Sequence, residues 1–179
     1  MLLIILMKGN KRGFSLVELI VVIAIITSLT AMGITSYSAV QRNARNTERK
    51  TDLKDIEVAL EAYRLETGAY PNTWGSWLGA PGCAWGGTTN WIPGLAPNFI
   101  DKLPLDPRTA QANASSANWY CTYYASWNCY LYLSNGVQYK LLAHCSPEGT
   151  MISSDPFYDP VRPVNAWQIS SDAIPRNSW

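Results

Sequence analysis

One histidine, His144, and no CxxC pair among four cysteines leave a zinc site without its usual ligand spacing. No GxSxG elbow, Walker loop, HExxH helix or Gly-rich dinucleotide fingerprint occurs anywhere, so the expectation is that the chain is not an enzyme. His144 stands between a strand-like run and Cys145, where a structural or surface histidine is expected rather than a base. Charge is also scarce, at 15 % of residues, and the net charge is +1. A general nucleic-acid or acidic-lipid binder would be visibly basic, so no nucleic-acid partner is expected. Residues 68–179 offer only Lys102, Arg108, Lys140, Arg162 and Arg176 as cations, too few for a basic groove.

What the chain does have is segregated along its 179 residues, enough for one compact domain and an extended element. Lys8, Lys11 and Arg12 precede a long apolar run, and no acid comes before Glu18. From Leu19 to Ile34 there is no charge at all: LIVVIAIITSLTAMGI. Counted from Phe14 the stretch holds one charge, Glu18, and is of the length, about 20 residues, that a helix needs to cross a bilayer. Basic residues before it predict an N-in, C-out orientation. A secretory signal peptide would show a small-residue cleavage site after its apolar core. Here the core runs into TSYSAVQRNARNTERK, which reads as a helix continuing outward.

KGNKRGFSLVELIVVIAII, with a basic leader, Gly-Phe, a Glu four residues later and an uninterrupted apolar run, resembles the class III leader of type IV prepilins and type II secretion pseudopilins. The resemblance implies cleavage between Gly13 and Phe14 by an inner-membrane prepilin peptidase, then N-methylation of Phe14. It implies a subunit held in the inner or cytoplasmic membrane before assembly. Afterwards it would sit in a filament in the periplasm or on the cell surface, with itself, other pilins and an inner-membrane assembly platform as partners. Glu18 would then meet the Phe14 amine of a neighbouring subunit, neutralising an acid that is costly among apolar groups. A plain signal anchor with Glu18 reaching the interface is the alternative. MLLIILM has no place in such a leader, so Met7, opening MKGNKRG, is expected to be the true start rather than Met1. Removing residues 1–13 would leave 11 basic against 13 acidic residues, a net charge of −2.

The expected organisation is a leader at 1–13, a transmembrane and assembly helix at 14–35, an amphipathic continuation at 36–67, and a globular head at 68–179. RNARNTERKTDLKDIEVALEAYRLETG contains no Pro or internal Gly and is rich in helix formers. Leu53, Ile56, Leu60 and Tyr63 share one face, with Lys50, Lys54, Glu57 and Glu61 on the remaining surface. Gly68 is a natural C-cap, and Tyr70-Pro71 prevents continuation. A helix from Phe14 to Thr67 would run about 80 Å. Ala24 and Ser28, four apart, would allow close helix approach. Gly33-Ile34-Thr35 stands where many members of the resembled family carry a Pro that lets the helix locally melt.

Residues 68–98 hold seven Gly and four Pro together with Trp74, Trp77, Trp85 and Trp91, and so read as a loop pinned by aromatics. Asp101 and Asp106 flank LPL as turn caps. YLYLS-NG-VQYKLLA is a hairpin signal in which Asn135-Gly136 would supply the positive φ of a two-residue turn. Tyr130 and Tyr132 alternate with Leu131 and Leu133, predicting a sheet with one face on the helix. Three or four antiparallel strands are expected. The fold class is therefore α+β, a long helix packed by its second half on a small antiparallel sheet, as in the pilin fold.

Cys83, Cys121, Cys129 and Cys145 lie beyond the apolar run and favour disulfides in an oxidising compartment over buried thiols, with three pairings open. The head also resembles that of the major secretion pseudopilin: Gly-x-Tyr-Pro, then LP-x-DP, then the Tyr-rich hairpin. In those proteins an Asp-rich C-terminal loop takes calcium. The candidates here are Asp155, Asp159 and Asp172, without that spacing or the Gly-rich loop, so no cofactor is expected and calcium is the alternative. A competing function is a minor pilin, adhesin or DNA-uptake pilin whose Trp-rich head binds a surface. Substituting Trp77 and Trp91 separates the two, because a core role would cost folding.

Overall fold

A computed structural model describes residues 13–81, 83, 88–109, 121 and 128–171, with the side chains of 31–36 excepted. By its internal contacts the chain divides into two units, Met1–Val40 and Gln41–Trp179.

One helix, α1, runs from Leu16 to Thr67. Ser15 stands just before it. The Ser15 Oγ accepts from the Glu18 N–H at 3.2 Å, and the Glu18 carboxylate accepts from the Ser15 N–H at 2.8 Å. That reciprocal capping box satisfies two amides that the first turn leaves without helical partners. It places the helix start two residues after Phe14. At the other end Gly68 takes φ +84°, and its N–H donates to the Arg64 carbonyl at 2.8 Å, the expected left-handed cap.

In the second unit four strands follow: β1 (Leu78–Gly79), β2 (Cys129–Ser134), β3 (Tyr139–His144) and β4 (Ala166–Ser170). They form one antiparallel sheet in the order β1-β2-β3-β4. The turn between β2 and β3 has four residues rather than two. Asn135 is outside the positive-φ region and works through its side chain, whose Oδ1 accepts from the Val137 and Gln138 N–H groups. Gly136 alone, at φ +89°, supplies the left-handed step. β4 arises in a tail that the sequence presents as loop, and it completes the sheet because Trp167 and Ile169 reach the core.

Leu53, Ile56 and Leu60 of α1 are fully buried against Tyr130 and Tyr132 of β2 and Leu141 of β3. Trp91, Ile92 and Leu95 close this core from the Gly- and Pro-rich loop. Each such side chain contributes about 1.5–3 kcal/mol when taken out of water. The sheet's other face is covered as well, which the alternation of β2 does not predict. There Leu131 and Leu142 pack with Cys83 and Cys129, with Trp77 lying against them. Lys140, in β3, is completely buried, and its ammonium donates to Asp159 at 3.3 Å. Without that partner a buried ammonium would be prohibitively costly.

Candidate assembly site

In the first unit, Gly13 has nothing within 4 Å of where a Cβ would stand, and Phe14 is 84 % exposed. Among the described residues nothing crowds the bond between them. From Leu16 to Leu29 every large apolar side chain is exposed, at 45–73 %. They occupy all sides of the helix, where a helix packed on one core would show a single apolar face. The intervening hydroxyls are satisfied internally. Thr27 donates to the Ile23 carbonyl at 2.6 Å, Ser28 to Ala24 at 2.9 Å and Thr30 to Ile26 at 2.7 Å. No polar group of those three side chains then asks for water, which suits an apolar surrounding. Among the described residues no helix is both long and apolar enough to cross a membrane; the span read from the sequence includes residues 31–35, whose side chains fall outside them.

In the second unit the chemistry-bearing residues are occupied in holding the fold. Arg49 is fully buried on α1. Its Nε donates to Asp106 at 2.7 Å and its Nη1 to Glu148 at 3.1 Å. Arg45 makes a two-pronged contact with Glu148 at 2.7 Å, and Arg108 adds a third guanidinium at 3.2 Å. Burial alone would raise the Glu148 pKa, but the hydrogen bonds and charge of Arg45 and Arg49 overcome it and bring it down to about 2. Asp106 does cap a turn as expected, accepting from the Arg108 N–H at 2.7 Å, and is also an ion-pair partner. Asp101 is exposed.

Of the three acids considered for calcium, Asp155 accepts from Lys50 at 2.6 Å and from the Phe157 N–H at 3.0 Å. The Lys50 ammonium also lies over the Trp167 ring, 4.6 Å from its centroid. Asp159 is buried between Lys140 and Arg162 and caps the Val161 N–H. Each of these carboxylates is paired with an internal cation. Asp172 lies outside the described residues. Among the described residues no group of three His, Cys, Asp or Glu could hold a metal.

The cysteines pair Cys83 with Cys129 and Cys121 with Cys145, Cα atoms 5.7 and 5.1 Å apart. His144 is buried in β3. Trp91 and Trp167 are core, Trp77 is half-buried, and Trp74 is exposed, whereas Trp85 lies outside the described residues. Of the cations in the head, Arg108, Lys140 and Arg162 are engaged with acids, Lys102 is exposed, and Arg176 lies outside the described residues. The buried Arg49 and Lys140 escaped the sequence reading. Periodicity gives the helix face but not a partner 57 or 99 residues away.

Residues 8–34 match the family model described as the prokaryotic N-terminal methylation motif. The chain is 35 % identical over 66 residues to a type II secretion system core protein G of Pseudomonas aeruginosa, covering 37 % of this chain and 46 % of that protein. It is 31 % identical over 106 residues to the core protein G of Escherichia coli K12, covering 55 % of this chain and 67 % of that one. A type IV major pilin protein PilA of Myxococcus xanthus is 37 % identical over 61 residues, covering 34 % and 28 %. The matched part thus spans about half the length of the first relative and two thirds of the second. No solved structure matches the chain.

Proposed function

This chain belongs to the family of pilins and pseudopilins, and from that premise we propose that it is a structural subunit of a type II secretion pseudopilus or a type IV pilus, stored in the membrane as a precursor and polymerised through its N-terminal helix. Prepilin peptidase cuts between Gly13 and Phe14 on the cytoplasmic side, and the new Phe14 amine is methylated. The apolar run survives that cut and anchors the subunit until assembly. In the filament it trades lipid for the same run of neighbouring copies, and Glu18 receives the Phe14 ammonium of an adjacent subunit.

The observation that carries this reading is the helix surface from Leu16 to Leu29, apolar on every side and uncovered. A soluble domain rarely leaves so large an apolar surface bare. Beside it stands one carboxylate, Glu18, whose Oε2 accepts one backbone N–H and which retains acceptor capacity for a cation. The test is mass spectrometry of the mature chain from cells that contain a prepilin peptidase. The expected N-terminus is N-methyl-Phe14, and Gly13→Trp should leave the precursor uncut in the membrane. A mature chain that begins elsewhere, or normal processing of Gly13→Trp, would sink the proposal.

A further inference from the structure

Residues Thr73–Ser76 make a tight turn. The Ser76 N–H donates to the Thr73 carbonyl at 3.1 Å, and both central residues lie in the left-handed region, Trp74 at φ 55° and Gly75 at φ 77°. This is the type I′ geometry, whose first central position ordinarily takes Asn, Asp or Gly. Tryptophan is among the residues least suited to it. The turn is nevertheless tied down on all sides. Thr73 exchanges hydrogen bonds with the Ser134 backbone at 3.0 Å through its N–H and hydroxyl, and the Asn72 side chain accepts from the Trp74 N–H at 2.7 Å. What this costly arrangement presents is an indole that is 88 % exposed. Strain kept in place by the surrounding structure points to a use. An aromatic on a rigid support is also the usual anchor of a protein interface, because little freedom is lost when it docks.

A groove with an apolar floor and a charged rim of Glu57, Glu61 and Arg64 lies on the same unit. It runs between the last turns of α1 and the ends of β3 and β4, about 720 Å³ in volume, with Val58, Ala62, Leu65, Tyr70, Val137 and Tyr139 among its walls. Val58, Leu65 and Val137 are all more than two-thirds exposed, so the described residues leave the groove open. The Trp74 turn lies on the β1 side of β2, bonded to Ser134, and the groove opens on the β3–β4 side, with Tyr70 and the β2–β3 turn between them.

We infer that Trp74 docks into the α1/β3–β4 groove of a second copy of this chain. This rests on the filament reading above and deepens it. Knob and groove are different surfaces of one head, so their contact is head-to-tail, which leaves one free knob and one free groove at the ends of any open row. In a filament of this chain the neighbours of a head are other such heads, so the groove of another copy is a surface available to each indole. The indole supplies the large apolar area, and the groove's Val and Leu side chains are removed from water together with it.

Two variants and one probe test the inference in full-length chain assembled into filaments in cells. Trp74→Gly suits the turn better than the native residue, so the melting temperature should hold or rise, while filament yield falls at least tenfold. Ala62→Glu, on an exposed helix position, should leave folding intact and lower the yield similarly. Trp74→p-benzoylphenylalanine, irradiated in filaments, should crosslink to peptides containing Val58–Leu65 or Val137–Tyr139 of another copy. Wild-type yield from Trp74→Gly, or crosslinks mapping elsewhere, overturns the docking while leaving the filament reading intact. Intact Trp74→Gly filaments that have lost adherence to a surface overturn it in favour of an adhesive aromatic. A wild-type chain that forms no filaments and does not begin at Phe14 removes the filament reading and the docking with it.

Discussion

Arg49 and Asp106 are joined by a two-pronged contact, Nε to Oδ2 at 2.7 Å and Nη2 to Oδ1 at 3.2 Å, with both side chains wholly out of water. Asn46 and Glu148 take the remaining nitrogen, Nη1, at 2.9 and 3.1 Å. The guanidinium therefore spends its donors on one helix neighbour and two loop carboxylates, fixing α1 to the segments around 106 and 148. Burial opposes its charge, and the two carboxylates outweigh that penalty and hold its pKa above the ordinary arginine value.

Removing this cation strands one buried acid, Asp106, because Glu148 keeps Arg45 and Arg108. Arg49→Met should cost about 3–5 kcal/mol, the range found when one partner of a buried ion pair is deleted. Arg49→Lys should recover only part of that, since an ammonium cannot reproduce the planar fork. Adding Asp106→Leu to Arg49→Met should return some stability. Chemical denaturation of the purified chain measures all three. An Arg49→Met chain as stable as wild type would show that the cluster is ornamental to folding.

Asp52 gives the head a pH dependence of opposite sign to that of Glu148. Burial pushes the Asp52 pKa from 3.8 up to about 6, against a hydrogen bond from the Tyr130 hydroxyl at 2.6 Å that favours the charged form. The folded state therefore holds that proton more tightly than the unfolded chain. Its contribution is fully present below pH 3.8 and is lost as pH rises through about 6. Glu148 works the other way, its contribution present above pH 4.5 and lost as pH falls through about 2. Asp52→Asn should remove the decline between acid and neutral pH, about 1–2 kcal/mol once solvent screening of this half-buried group is allowed for, and raise stability at neutrality. Unfolding free energies of both chains at several pH values decide it. A decline equally steep in Asp52→Asn would assign it to another group.

Much of this was readable beforehand, for reasons particular residues make clear. The leader and apolar run are local signals, and Leu53, Ile56 and Leu60 announce a helix face because 3.6-residue periodicity is written in adjacent turns. Gly68 marks the helix end because few other residues take its φ. Lys140 was not legible, because a lysine alternating in a strand reads as solvent-facing until the loop carrying Asp159 folds over it. Nor was β1, two residues inside a Gly- and Pro-rich segment, or β4, whose AWQIS is too short to stand out from its neighbours. The cysteine pairing likewise depends on which strand edges meet. In the sequence Trp74 reads, with its aromatic neighbours, as a loop pin, since nothing in composition tells a presented indole from a buried one.

Gly79 is required by the Cys83–Cys129 bridge. A Cβ placed there would stand 2.6 Å from both Cβ and Sγ of Cys83 and 3.1 Å from the Leu131 side chain, its partner in the β1–β2 register. Gly79→Ala should therefore cost about 1–3 kcal/mol, as overpacking does. Replacing both cysteines by alanine should cost about 2–4 kcal/mol through the freed loop. In that unbridged chain residue 83 can move aside, so the Gly79→Ala penalty should shrink. Additive losses across this double-mutant cycle would refute the steric account.

Glu18 combines two tasks that a pair of substitutions can separate. Its carboxylate accepts the Ser15 N–H and so helps begin α1, and it is the proposed counter-charge for the Phe14 ammonium of a neighbour. Glu18→Gln keeps an oxygen able to accept that amide and loses only the charge, whereas Glu18→Ala loses both. If the ion pair governs assembly, both variants should be processed at Phe14 normally and both should form few filaments. If capping governs it, Glu18→Gln should assemble near the wild-type level and Glu18→Ala alone should fail. A cap is worth about 1 kcal/mol, a few-fold effect on a single association step, while an unpaired amine in a dry bundle costs several times more. The charge should therefore dominate, and filament yield from Glu18→Gln, normalised to the amount of cleaved subunit, is the measurement that decides it.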